Sequence, residues 1–208
     1  MRIDPITTRD VLADAWERWT RRCTELTPDE WSTTTRCKPW DVGALIAHAC
    51  PSPELFDTLD NATIDGHAIV TDAAEMLRRF NAPDGPAHTM ADDIADRAVS
   101  EAPALTPDAA AERFTASADR LRATAMSDET VVSYPVVGST TLAVIAEVAL
   151  MEATVHLLDL AAAVGGIEPS AEALTATRDL LIAWPDATAA VEVLAGRAAP
   201  EKAVPAIR

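Results

Sequence analysis

Apolar residues recur at Val11, Leu12, Ala15, Trp16, Trp19, Cys23 and Leu26, the spacing of one helical face, while Arg9, Asp10, Glu17, Arg18, Arg21 and Arg22 occupy the others. The pattern predicts a helix over 8–26. Thr27-Pro28-Asp29-Glu30 follows, with a capping hydroxyl, proline at the first helical position and a carboxylate three residues after the cap, and predicts a short helical turn. A second helix opens at Asp41 and faces Val42, Leu45, Ile46 and Ala49 inward. Pro51 and Pro53 then predict a break near Cys50, because proline lacks the backbone donor and clashes with the preceding turn. Leu55 to Leu59 resumes the helical period and 69–80 reads as another helix, ending in the turn-rich loop 81–86. A weak helix over 90–99 and a better one from Thr106-Pro107-Asp108 to about Ser127 complete the first two thirds.

Val131-Val132-Ser133-Tyr134 has β-branched character, but a single run makes no sheet alone, and a connector is expected there. The longest apolar stretch, 142–164, is apolar nearly all round and is predicted to be the central helix, ended by Gly165-Gly166. A further helix runs from Pro169-Ser170 to about Ala183, stopped by Trp184-Pro185, and the segment from Gly196 has no strong period. The expected architecture is all-α: one bundle domain over 1–197 with extra short helices and a loosely docked tail over 198–208.

The 208 residues are 49% hydrophobic and 24% charged, which excludes disorder as the state of the whole chain. Seventeen basic against 33 acidic residues leave a net charge of −16, which repels nucleic-acid phosphates and anionic membrane surfaces. No run approaches the roughly 20 apolar residues of a membrane span, since Glu147 and Glu152 cut the longest one. Met1 to Pro5 lacks the pattern of a secretory signal, and Cys23, Cys37 and Cys50 form no obvious disulfide framework. A cytoplasmic protein acting on a small molecule, as a monomer or homodimer, is the expectation.

Candidate chemistry sits where polar groups interrupt the apolar faces. Glu152 and His156 are one turn apart on the central helix, and Asp159 follows three residues later on the same side. Buried ionisable groups need a partner, and this spacing suits an ion pair, a core hydrogen-bond network or a metal site. His48, also on an inward helix face, is the natural third ligand; two histidines and a carboxylate with an open fourth position are the pattern of a catalytic divalent metal. Alone, His48 reads first as a satisfied core histidine rather than a ligand. His67 and His88 lie in loop-like surroundings and read as surface groups, Cys37 and Cys50 flank the His48 helix, and the five tryptophans read as core or end-plugs, with Trp40 bordering the cavity.

Trp31 and the run Thr35-Arg36-Cys37-Lys38-Pro39-Trp40-Asp41-Val42-Gly43-Ala44-Leu45-Ile46-Ala47-His48 resemble the signature Trp…Thr-x-Cys-x-x-Trp-Asp-Val-x-x-Leu-(Ile/Val)-x-His of the mycothiol-dependent maleylpyruvate isomerase-like family, within the DinB-like superfamily. Glu152-Ala153-Thr154-Val155-His156-Leu157-Leu158-Asp159-Leu160-Ala161 is similar to the family's Glu-x-x-Val-His-x-Trp-Asp-Leu-Ala, and Val193-Leu194-Ala195-Gly196-Arg197 to the ending of one branch. The resemblance spans about 8–197. It implies a DinB-like four-helix bundle whose metal, usually zinc with nickel or iron as alternatives, is held at His48, Glu152 and His156. It also implies mycothiol or a similar low-molecular-weight thiol as cosubstrate, bound near Trp40 as thiolate and attacking a small electrophile for transfer or isomerisation. Asp159 would then be a catalytic, proton-handling or supporting residue, with plain structural hydrogen bonding left open beside it. A thiol-independent hydrolase, lyase or biosynthetic enzyme and a non-catalytic binding protein are the alternatives. Leu158 replaces the family tryptophan, Lys38-Pro39 stands where Pro-Gly or Pro-Asp is usual, Ala149 replaces a frequent arginine, and Pro51 and Pro53 should bend the wall past His48. The C-terminal domain of the isomerase itself is not expected in this chain.

Overall fold

The computed structural model describes residues 5–203. Eleven α-helices and one β-hairpin make up the regular structure of those residues, apart from two short 3₁₀ turns. α1 (Pro5–Glu25), α3 (Val42–Ala49), α8 (Pro107–Ala123) and α9 (Leu142–Val164) enclose the larger apolar core. α9 is central, as its all-round apolarity predicts, touching α1, α3, α5 (Ala73–Phe80) and α10 (Ala171–Ala183). Trp19 anchors the middle: fully buried, its ring stacks on Phe114 of α8 at 5.3 Å and its Nε1 donates to the Ala153 carbonyl of α9 at 3.0 Å.

Local signals set the helix ends. Thr27 and Glu30 form the predicted capping box of α2 (Pro28–Trp31). The Asp41 carboxylate accepts from Ala44 N at 2.8 Å, and α3 ends at Ala49 with Cys50 extended before Pro51. Trp31 lies so close over Gly43 that any side chain there would displace its indole. The chain resumes as α4 (Leu55–Asn61), and later as α6 (Pro86–Thr89) and α7 (Ala91–Glu101), the latter against α3. At the far end of α9, Gly165 takes φ +67°, and Arg22 donates to the carbonyls of Gly165 and Val164 while pairing with Glu30 at 2.7 Å. Arg22 is thus buried, not on a solvent face, because the end of α9 offers it acceptors.

Four other expectations need correction. Residues 131–134 are no mere connector: β1 (Val131–Tyr134) pairs antiparallel with β2 (Gly138–Thr141), Val132 opposite Thr140. Both edges of the hairpin are covered, β1 by 62–64 (Ile64 N to Val131 O, 2.9 Å) and β2 by Val70 (N to Ser139 O, 3.1 Å), and this tertiary support outweighs the weak strand composition of β2. That pairing also claims Val70, so the helix expected from Ile69 begins only at Ala73, where Asp72 caps it. α8 stops at Ala123, since Thr124 is extended and Arg9 captures the Met126 carbonyl at 2.7 Å. Beyond Trp184-Pro185 an unforeseen helix, α11 (Ala187–Leu194), starts from an Asp186 cap. Of the expected tail, Pro200–Lys202 forms a 3₁₀ turn and Ala203 is buried, while 204–208 lie outside the described residues. Among the described residues no helix is long and apolar enough to cross a membrane.

Candidate metal centre

Three polar side chains meet where α3 ends against the middle of α9. His48 occupies the last turn of α3, Glu152 and His156 successive turns of α9, and one ligand atom from each lies within 4.8 Å of the others. Glu152 Oε2 is 3.3 Å from His156 Nε2, and the imidazoles of His48 and His156 are nearly perpendicular, centroids 5.0 Å apart. Trp40 covers the pair, its ring 4.6 Å from His48 and 6.1 Å from His156, held there by a bond from its Nε1 to the Ala95 carbonyl of α7. Glu152 keeps 40% of its side chain exposed, so the cluster opens to solvent on that side.

Asp159 approaches His156 from behind. Its Oδ2 accepts from Nδ1 at 2.9 Å, which turns Nε2 toward Glu152 and His48, the arrangement by which a carboxylate fixes the tautomer of a metal-binding histidine. The same carboxylate accepts from Arg36 Nε at 2.6 Å and from the Cys37 thiol at 3.1 Å. A second possible ligand group, Cys37, His156 and Asp159, shares the histidine through its other nitrogen. There the three side chains already satisfy one another and Arg36 supplies a cation, whereas the His48 group has an open face and no arginine or lysine paired with it among the described residues. The fit therefore favours His48, Glu152 and His156.

Charge follows geometry. Burial, and then the neighbouring His156, push His48 down to about 4 against the pull of Glu152, so it is neutral near pH 7 with a lone pair to give. Burial also opposes charge on His156, but bonds to Asp159, Cys37 and Glu152 outweigh it and raise the imidazole to about 11. Asp159, pushed up by burial, is drawn down to about 2 by His156, Cys37 and Arg36. Without a metal, a proton on His156 bridges two carboxylates; a cation beside Nε2 would take its place.

The loop 33–41 is built to deliver these groups. The buried Thr35 hydroxyl donates to the Trp40 carbonyl at 2.9 Å and accepts from Cys37 N at 3.1 Å, while Val42 N bonds to Thr33 O. The Lys38–Pro39 peptide within it is cis. The spacing of Thr35, Cys37 and Trp40 is thereby explained: one residue ties the loop, the other two face the site. Arg36 has no role legible from this run alone, for its partner lies 123 residues away and nothing local signals the contact. Cys37 reaches the cluster; Cys50 turns instead to the Ala110 carbonyl of α8. His67 and His88 are exposed and belong to no such cluster among the described residues.

No curated protein and no solved structure matches this chain. The sequence model described as the mycothiol maleylpyruvate isomerase N-terminal domain matches residues 12–161, from the first buried turns of α1 to the end of the polar stretch of α9. That match covers most of the chain and both halves of the cluster, and the chain belongs to the mycothiol maleylpyruvate isomerase N-terminal domain family.

Proposed function

We propose that the protein binds a divalent metal, zinc in the first instance, through His48, Glu152 and His156, and uses it with a low-molecular-weight thiol for transfer to, or isomerisation of, a small electrophile. The observation that carries this reading is the meeting of a neutral imidazole from α3 with a carboxylate and an Asp159-oriented imidazole from α9, open on one side. Family membership favours a mycothiol-type cosubstrate. Two neutral histidines and one carboxylate leave a divalent ion with a net positive charge, the condition for holding a thiol as thiolate at neutral pH, where a free thiol of pKa about 8.5 is mostly protonated.

The chain's own residues then have distinct tasks. Asp159 retains the proton on His156 Nδ1 and keeps the ring aimed; Arg36 and Cys37 keep Asp159 in place. Trp40 presents an apolar wall beside His48 that sheds water and receives the uncharged part of a ligand. Leu158, partly exposed on α9, leaves room where the family has tryptophan. The three unpaired cysteines accord with a reducing, cytoplasmic setting.

Elemental analysis of the purified chain beside His48→Ala tests the metal. Near-stoichiometric zinc, nickel or iron in the first and none in the second is the expected result. Turnover of an electrophile panel with and without thiol tests the chemistry: activity without thiol points to metal-bound water as nucleophile, and absence of metal after attempted reconstitution removes the proposal.

A further inference from the structure

Tyr134 is the chain's single tyrosine, and neither the main core nor the cluster just described accounts for it. It closes β1 on the same side as the fully buried Val132, so its ring points from the hairpin into the molecule. There it stacks with Phe80 of α5, centroids 6.2 Å apart at 25°, and joins the smaller apolar cluster of Val70, Ala73, Met76, Val137 and Val144. Val148 packs on that cluster too. Val144, Val148 and Glu152 form one row along α9 at four-residue steps, so the next position beyond the cluster is the glutamate of the metal centre.

The hydroxyl is the unexplained part. It makes no hydrogen bond to any described residue, although the ring is half-buried. Burial, reinforced by the Glu152 carboxylate, holds the phenol above its usual range, so it remains a neutral donor at physiological pH. A neutral donor beside an acidic site suits an uncharged acceptor that gains negative charge during reaction, such as the oxygen on an electrophilic carbon.

We propose that Tyr134 is a substrate-binding residue at the rim of the metal centre, donating its phenolic hydrogen bond to a carbonyl-type oxygen of a ligand seated opposite His48, Glu152 and His156. This rests on the metal reading above and adds to it the class of group the substrate must carry. No proton leaves the phenol; the bond positions the acceptor and strengthens as charge develops on it.

Because the tyrosine is unique, the full chain labelled with 3-fluorotyrosine gives one fluorine resonance. Loading with Co²⁺ should shift or broaden that signal far more than loading with Zn²⁺, and His156→Ala should abolish the difference. Stoichiometric Co²⁺ by elemental analysis with an unmoved resonance overturns the placement of Tyr134 while leaving the metal centre intact. Failure of wild type to load any metal removes the metal centre and the proposal with it. Acetohydroxamate, a carbonyl-bearing metal ligand, tests the donor: Tyr134→Phe in the zinc-loaded chain should weaken its binding roughly tenfold with zinc affinity unchanged. Equal hydroxamate affinity overturns the donor role, and so does a loss of zinc affinity, which would assign the hydroxyl to Glu152.

Discussion

α9 presents two faces of opposite character within the same three turns. Leu150, Ala153, Leu157 and Leu160 pack into the core, with the Ala153 carbonyl meeting Trp19, while Glu152, His156 and Asp159 gather charge against α3 and the loop before it. The first face stabilises the fold through apolar burial. The second confines three ionisable groups that tolerate one another through hydrogen bonds and the cation of Arg36. Stability and the proposed metal chemistry would thus lie on different sides of one helix, and a change on either side should leave the other's readout largely alone.

The sharpest break of that separation is Trp19→Ala. Losing the stacked indole and its bond to Ala153 should cost about 3–5 kcal/mol in denaturant unfolding, with metal per folded chain unchanged. His156→Ala should do the reverse, eliminating stoichiometric metal while the helical circular-dichroism spectrum persists; retained metal would take His156 out of the site. Asp159→Asn keeps the shape but loses the charge that orients His156, and metal affinity should fall about 10–100-fold with little change in melting temperature. No change in affinity would make Asp159 purely structural.

Acidity sharpens the contrast further. In the metal-free chain His156 carries its proton up to about pH 11, so a cation at Nε2 must displace it, and low pH weakens binding. His48, titrating near 4, has no proton to lose at neutral pH. Apparent affinity should therefore rise about tenfold per pH unit between roughly pH 6 and 8, with one proton released per metal in calorimetry across buffers. A release of two would show that His48 is protonated as well. The smallest effect belongs to Arg36→Ala: its side chain is 58% exposed, its pairing is screened, and metal affinity should drop by less than about fivefold.

Much of the fold was legible because its signals are local. Apolar periodicity marks α1 and α9, Pro51 marks the end of α3, and the Thr27 and Asp41 caps mark the starts of α2 and α3. The hairpin was not, since Gly138 to Thr141 is poor strand sequence and its order comes from neighbours at 62–64 and 70. At the site, residues 152, 156 and 159 share a face by helical arithmetic alone, and the structure brings His48 to the first two. The roles of Arg36 and Cys37 rest on a loop meeting α9 across more than 120 residues, a contact no spacing rule encodes. Tyr134 carries no local signal for the same reason, since its place against Phe80 depends on the hairpin.

The separation of His48 from Glu152 along the chain also sets a schedule. Roughly a hundred residues must be synthesised after α3 before α9 exists, about 5–20 s at ordinary elongation rates. During that interval His48 emerges on a short helix without Glu152 or His156 beside it, so the three-residue group does not yet exist. A metal held by His48, Glu152 and His156 together would therefore be acquired only once α9 has closed against α1 and α3, late in biogenesis, and would favour finished molecules over unfinished ones.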